Sequence, residues 1–502
     1  MDEVGSIDDY WHVVQIVEEG LDSNYLNERE MAFLEDIRER LEKHGESVRL
    51  SPSQILWLDV IDQRLSNDDE FEDVWEDAEP EPTNALGITL NDDQNRALQE
   101  MEASIVMRRP HLLTGHAGSG KTTLIQVIAT RHAHKKVVLC GPTHKACEVL
   151  GRKLRAAGVK IPVCTIHSLL SLRPKSQGAR QIFVRAPKAP AVVADLVIID
   201  EASMLDASMM HHIELWLAGI AVVFVGDAAQ LPPIGEAGSR CFATIPESHL
   251  HGIVRQAEGN PIIAASAVVR ASQAVATPDW SWATPTRIGD TGIFTPGNDV
   301  NAWLKHAFTS AAFVSDPDTF RYLVWQNANV DRFNARVRRW LGHDPAVPFV
   351  SGERALIRTP CIKNKEIVLS INQEVGVVSI EAGDHLGIPT WEIRVLTGGG
   401  AVVDIHTVRD WTAHKARLDM MAREAIGDQG SWDDFHAFRD EFTDAKPLYA
   451  LTTHNAQGST FRHVFIEMSD FRYWISKQPE EGKKGLYVAI TRASHTVTLV
   501  GA

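Results

Sequence analysis

At 502 residues, with 44% hydrophobic and 23% charged side chains, the chain is too long for one compact core, and its composition is that of a folded globular protein. No apolar run is long enough to span a bilayer, the start Met1-Asp2-Glu3-Val4-Gly5 lacks the basic region of a signal peptide, and the five cysteines form no CxxC pair. These features argue against a membrane protein, a disulfide framework and a zinc site, and a reducing, cytoplasmic setting is expected.

The net charge of −16 is uneven: residues 1–81 hold 25 Asp and Glu against 6 Lys and Arg, while residues 82–502 hold 41 acidic against 44 basic residues. The acidity belongs to an N-terminal segment, and the rest of the chain can carry a local basic track for nucleic acid. Within that segment, residues 27–44 predict a helix with Leu34, Ile37 and Leu41 on one face. Ser51-Pro52 starts a second, with Ile55, Leu58, Ile61 and Leu65 as its stripe. Residues 66–85 form an acidic linker holding Phe71 and Trp75. It reads first as a solvated tether, and second as a DNA-mimicking or partner-binding segment, for replication or single-strand-binding proteins.

From residue 90 the pattern becomes α/β. Apolar runs at His111–Thr114, Lys136–Cys140, Asp195–Ile199 and Ala221–Val225 each lead into a motif, as at the carboxyl ends of parallel strands. Gln94, in Leu90-Asn91-Asp92-Asp93-Gln94, offers an amide able to read adenine through a donor and an acceptor. Gly115-His116-Ala117-Gly118-Ser119-Gly120-Lys121-Thr122, followed by Thr123 and a helical run, fits the P-loop at every defined position. Gly115, Gly118, Ser119 and Gly120 let backbone N–H groups approach phosphates, Lys121 neutralises them, and the Thr122 hydroxyl suits Mg²⁺. Asp200 and Glu201, just past an apolar strand, can divide metal binding from orientation of the attacking water. Gln230, in Gly226-Asp227-Ala228-Ala229-Gln230, can sense a γ-phosphate.

The run Tyr322–Gln326 opens a second α/β unit, completed by Val464–Ile466 and Val497–Val500. Between about 346 and 408 the texture turns to alternating strands at Glu366–Ser370, Glu374–Ile380, Trp391–Leu396 and Ala401–His406, with a turn at Gly398-Gly399-Gly400, which predicts a small inserted β-barrel. Residues 411–444 return to helix. The last motifs are Thr453-His454-Asn455-Ala456-Gln457-Gly458-Ser459-Thr460 and Gly485-Leu486-Tyr487-Val488-Ala489-Ile490-Thr491-Arg492-Ala493.

The order and wording of these motifs over roughly residues 86–502 resemble superfamily 1B DNA helicases of the phage Dda type and the bacterial RecD-like group. The resemblance implies an α/β fold with two RecA-like P-loop domains, ATP and Mg²⁺ in the cleft between them, and 5′-to-3′ movement on single-stranded DNA as a monomer with no membrane role. It divides the chain into an acidic helical extension (1–85), a first RecA-like domain (86–250) with a pin hairpin at about 172–191, a second RecA-like domain (251–345 and 446–502), and an SH3-like β-barrel with helices inserted at 346–445. Arg255, in Leu250-His251-Gly252-Ile253-Val254-Arg255-Gln256, and Arg492 match the family's two arginine contacts to the γ-phosphate, and Gln457 and Gly458 match nucleotide-side positions. Pro142, Thr143 and His144, with Thr165 and His167, and with Thr452, His454 and Asn455, fall in loops resembling those that hold the strand. Phe183, flanked by Arg180, Arg185 and Lys188, suits a ring stacked on the base pair at a fork. Two departures stand out: the family core does not include an acidic segment like 1–85, and Ser494-His495 stands where many relatives carry a further basic residue. Other readings are a translocase that displaces proteins from single strands, a superfamily 1 RNA helicase, and a P-loop switch that does not move on nucleic acid.

Overall fold

The protein was analysed as a computed structural model, which describes residues 10–22, 28–45, 48, 50, 58, 61, 89–177, 180–251, 259–276, 278–363, 366–427 and 430–501. Glu28–His44 forms the helix expected near the N-terminus, and a helix over Tyr10–Asp22 packs on it. The earlier helix has no acidic first turn or basic last turn to announce it in the sequence. Val13, Ile16 and Val17 meet Leu34, Ile37, Leu41, Leu58 and Ile61 in a small core of their own. Ile55, Leu65, Phe71 and Trp75 lie outside the described residues.

Eight strands follow: β1 (His111–Gly115), β2 (Val137–Gly141), β3 (Val163–Thr165), β4 (Leu172–Gln177), β5 (Arg180–Arg185), β6 (Leu196–Ile199), β7 (Ala221–Gly226) and β8 (Glu247–Leu250). Six of them form a parallel sheet in the order β3-β2-β6-β7-β1-β8. Every residue of β1, β2, β6 and β7 is buried, which explains their continuous apolar reading, since a parallel sheet carries helices on both faces. One face packs on Leu98, Met101, Ile125, Ile128 and Leu154, the other on Ile166, Leu169, Met210 and Ile213. The remaining two strands, β4 and β5, pair only with each other, as an antiparallel hairpin standing off the sheet.

The second half holds β9 (Thr286–Ile288), β10 (Thr291–Phe294), β11 (Phe320–Val324), β12 (Arg354–Ile357), β13 (Cys361–Lys363), β14 (Glu366–Leu369), β15 (Glu374–His385), β16 (Ile388–Thr397), β17 (Val402–Val408), β18 (Ala445–Pro447), β19 (Ala450–Thr452), β20 (Phe461–Glu467) and β21 (Ala493–Val500). A second sheet runs β19-β11-β20-β21-β10-β9, parallel except for the β9–β10 edge. Its strands come from both sides of the 354–447 stretch, so that stretch is an insertion. There the order is β17-β16-β15-β12-β18, antiparallel, with β13–β14 as a separate ribbon. Thr443 N–H donates to the His406 carbonyl at 2.9 Å and the Thr407 hydroxyl to the Thr443 carbonyl at 2.9 Å, so the segment entering β18 bonds back to β17 and the sheet curls. Helices Trp411–Ile426 and Trp432–Asp440 occupy the connection between those two strands. Among the described residues, no helix is long and apolar enough to cross a membrane.

A candidate nucleotide site and strand-binding surface

The P-loop leaves the carboxyl end of β1 and enters the helix Lys121–Arg131. Gly118 and Gly120 hold φ of 82° and 89°, a left-handed backbone that a Cβ disfavours. The Lys121 ammonium donates to the carbonyls of Gly115 at 2.5 Å and His116 at 2.9 Å. Burial lowers its pKa, while the carboxylates of Asp227, Glu201 and Asp200 oppose that shift. The Ser119 hydroxyl is buried with no partner inside the same loop. An orphaned donor, a lysine and a helix N-terminus around one loop form a donor set that fits a nucleotide phosphate chain.

Asp200 and Glu201 follow β6. The Glu201 N–H donates to Asp200 Oδ1 at 2.9 Å, and Glu201 holds φ of 53°, rare for a residue with a Cβ. Burial, helped by Asp200, pushes the Glu201 carboxyl up to about 7, against the pull of Arg492 and Lys121. Burial also raises Asp200. Among the described residues, no group of three His, Cys, Asp or Glu side chains could hold a metal. Thr122 and Asp200 therefore fit Mg²⁺ only as partners of phosphate oxygens and water, the usual manner for that ion.

Residues from the second sheet reach this cleft. The buried Gln457 amide donates to Ser203 Oγ at 2.9 Å and to Gln230 Oε1 at 3.0 Å. Gly458, at φ +76°, comes so close to the first sheet's side that a Cβ would stand 3.1 Å from that of Ala146. Arg492 is buried, and its charge is felt by Asp200 and Glu201. Its guanidinium donates to the carbonyls of Val488 and Ser459 and to the Thr491 hydroxyl, each at 3.1 Å. Arg255 lies outside the described residues. Gln94 is buried beneath the P-loop: its Oε1 accepts the Asn91 N–H at 3.1 Å in a capping box, and its Nε2 donates to the Ser119 carbonyl at 3.3 Å. Each half of the amide has one backbone partner, so Gln94 braces the P-loop and keeps a second N–H and a second oxygen lone pair.

The strand-facing candidates share one local design. Thr143, Thr165 and Thr452 come at or just past the carboxyl ends of β2, β3 and β19, and each caps a helix by accepting an N–H, from Ala146 (3.2 Å), Ser168 (3.2 Å) and Asn455 (3.4 Å). A hydroxyl that accepts in this way keeps its own proton to donate, which suits a phosphate oxygen. His144 bonds the Ser370 hydroxyl at 3.0 Å, just past β14. His454 lies 3.5 Å from Glu481, yet burial lowers its pKa. Pro142 and Asn455 are half-buried in the same loops. The hairpin brings Phe183 edge-on to His167 at 5.0 Å, with the Phe183 ring still 38% exposed. That exposure separates it from a buried hairpin phenylalanine. Arg185 lies over the Trp216 ring at 4.4 Å. Side chains of Arg180 and the hairpin tip are not described.

Several residues at the centre of these contacts carry no reading from sequence alone. Ser203 receives Gln457, and Asp227 pairs with Arg270. Lys145, on the first sheet's side, meets Asp318 at 3.2 Å and Glu374 at 3.1 Å; Arg354 pairs with both carboxylates, and Arg321 joins Asp318 at 3.1 Å. Burial would raise Asp318, but Arg321, Lys145 and Arg354 hold its carboxyl down at about 2. Only their places inside or beside the quoted motifs hinted at a role.

The family described as AAA domain matches residues 89–281, and the family described as UvrD-like helicase C-terminal domain matches residues 447–500. The chain is 24% identical over 450 residues to the ATP-dependent DNA helicase dda of Enterobacteria phage T4, covering 82% of this chain and 99% of that protein. It is 36% identical over 182 residues to the ATP-dependent RecD2 DNA helicase of Deinococcus radiodurans, covering 34% of this chain and 24% of that one. These matches support the resemblance to the superfamily 1B DNA helicases. Together they indicate a nucleoside-triphosphate hydrolase. A crystal structure of Bacteroides Pif1 bound to single-stranded DNA aligns over 82% of this chain and 92% of that one, at 16% identity and a TM-score of 0.46.

Proposed function

We propose that this helicase couples ATP hydrolysis to 5′-to-3′ movement along single-stranded DNA and opens duplexes at single-strand/duplex junctions. The observation that carries the reading is the Gln457 amide, which ties the nucleotide-side groups Ser203 and Gln230 to the segment that also holds Thr452, His454 and Asn455. A cleft that closes on nucleotide would then move the strand-gripping loops with it. In this reading residues 86–250 form the first motor domain, 251–345 with 446–502 the second, and 346–445 an SH3-like insertion. The hairpin at about 172–191 is the pin, with Phe183 as the ring that meets the fork.

ATP would lie along the P-loop, with Lys121 on its terminal phosphates and Gly115, Gly118, Ser119, Gly120, Thr122 and Thr123 around the chain. Mg²⁺, held by Thr122 and Asp200, would screen phosphate charge. Glu201 takes the proton of the attacking water, Gln230 reports the γ-phosphate, and Arg492, together with Arg255, stabilises the charge that develops on transfer. Gln94 reads the adenine with its amide and braces the P-loop from the same helix start. The protein works as a monomer in a cytoplasmic setting, and the acidic segment 1–85 meets replication or single-strand-binding proteins.

Unwinding of matched 5′-tailed and 3′-tailed duplexes with ATP and Mg²⁺ tests the proposal. Opening of the 5′-tailed substrate is expected. Opening of only the 3′-tailed one overturns the polarity, movement without opening favours a protein-displacing translocase, preference for RNA tails favours an RNA helicase, and hydrolysis indifferent to single strands favours a switch.

A further inference from the structure

The Tyr487 hydroxyl joins three parts of the cleft that the catalytic reading leaves separate. It donates to Asp227 Oδ2 at 2.6 Å and accepts the N–H of Ala117, in the P-loop, at 3.1 Å. Arg270 donates to the same oxygen at 3.4 Å, pairs with Asp227 and lies over the Tyr487 ring. One donor and two acceptor positions are all that a phenol has, and all are used. Asp227 is fully buried and takes a further N–H from Ala229 at 3.0 Å, on the loop that leads to Gln230. Tyr487 itself is 1% exposed on the helix Pro479–Thr491 from the second half of the chain, and Arg492 caps that helix roughly 7.5 Å further along its axis.

We infer that Tyr487 is a positioning residue whose hydroxyl transmits the state of the P-loop to Arg492 and, through the Asp227 loop, to Gln230. That role rests on the proposed hydrolysis of ATP in this cleft. A phosphate chain entering the P-loop re-aims its N–H groups, and Ala117 N–H is the one given across the cleft. Because hydroxyl and arginine share one rigid helix, displacement at Tyr487 is carried to the Arg492 guanidinium. The buried Asp227 charge keeps the phenol proton pointed one way, leaving the oxygen lone pairs for Ala117 and Arg270.

Tyr487→Phe keeps the ring and its cation–π partner and removes only the hydroxyl. Steady-state ATPase at saturating single-stranded DNA, and single-strand affinity with and without a non-hydrolysable ATP analogue, are measured for wild type and variant. The expected result is kcat lower by about tenfold with KM changed by less than about threefold, and a nucleotide-dependent change in DNA affinity that shrinks toward none. A purely structural role lowers the melting temperature and leaves that affinity ratio intact. Asp227 keeps Arg270 and the Ala229 N–H in that variant; if the loss of its phenol donor still unfolds the chain, Asp227→Asn with Tyr487→Phe removes carboxylate and hydroxyl together, and the same two results are expected. A wild-type chain that hydrolyses ATP beside a variant with unchanged kcat and unchanged affinity ratio overturns the role of Tyr487. A wild-type chain without DNA-stimulated hydrolysis overturns the motor reading beneath it.

Discussion

Glu201 sits in a conformation and a field that work against its own ionisation. With its carboxyl pushed up to about 7 by burial and Asp200, it is protonated in the folded state at pH 5 and ionised at pH 8, whereas in the unfolded chain it ionises near 4.5. A folded pKa above the unfolded one costs stability, little at pH 5 and fully above pH 7. Glu201→Gln is therefore expected to raise the unfolding free energy at pH 8 by on the order of 2 kcal/mol and much less at pH 5, measured by urea titration at both. Equal effects at the two pH values would show that the carboxyl is not raised. The same variant should lose most hydrolysis, because an amide accepts no proton from water. Lys121 differs in kind: its ammonium is confined to the P-loop carbonyls, away from Thr143, Thr165 and Thr452. Lys121→Ala should abolish turnover and leave nucleotide-free binding to single strands largely intact, by fluorescence anisotropy. Near-normal turnover would remove the P-loop assignment.

At the scale of elements, the hairpin of β4 and β5 is attached differently from everything near the nucleotide. It pairs with no other strand, touches the β13–β14 ribbon through Arg173–Glu366 at 2.6 Å, and presents Phe183 beside His167. A ring there can meet a base pair without any bond to the cleft. Phe183→Ala should preserve DNA-stimulated ATPase while unwinding of a tailed duplex falls, the two read on the same preparation. Joint loss of both would instead assign Phe183 to folding. The short helices capped by Thr143, Thr165 and Thr452 are a different kind of element. Each is a strand end turned by one hydroxyl, so the groups proposed to hold DNA also shape the loops that bear them.

For the whole molecule, the decisive contacts are those between the two parallel sheets and the inserted one. Lys145 is buried between Asp318 and Glu374, from the second sheet's side and the inserted sheet. Lys145→Met should destabilise the protein, by less than the about 3–5 kcal/mol of a buried pair broken outright, because Arg354 and Arg321 stay on the two carboxylates. Asp318, held at about 2, adds stability that is present above pH 4 and is lost as pH falls through 2. Thermal unfolding should thus show the wild-type advantage over Lys145→Met narrowing across that window; a constant gap would exclude the cluster as its source. The charge division of the chain gives a second expectation at this scale. Removing residues 1–85 should tighten single-strand binding, most at low salt, if the acidic segment competes with DNA for the motor's surface. Superimposable affinity curves across a salt series would eliminate competition.

The sequence by itself determined the parts whose chemistry is local. The P-loop, the Asp200-Glu201 pair past β6 and the helix Glu28–His44 are each written within one short stretch, where glycine backbone freedom, strand burial or helical spacing acts over a few residues. The insertion of a β-rich unit was legible for the same reason, as a change from helical to alternating period. What only the tertiary structure decided are bonds between residues far apart in the chain: Gln457 with Ser203, Tyr487 with Ala117, Lys145 with Asp318. Gln94 shows the difference in a single side chain, since its helix-start position was readable but its bond to the Ser119 carbonyl was not. Such partners are chosen by how the two parallel sheets and the inserted one pack, through burial that makes an unpaired polar group costly. No local spacing encodes that choice, because the cost appears only when the surfaces meet.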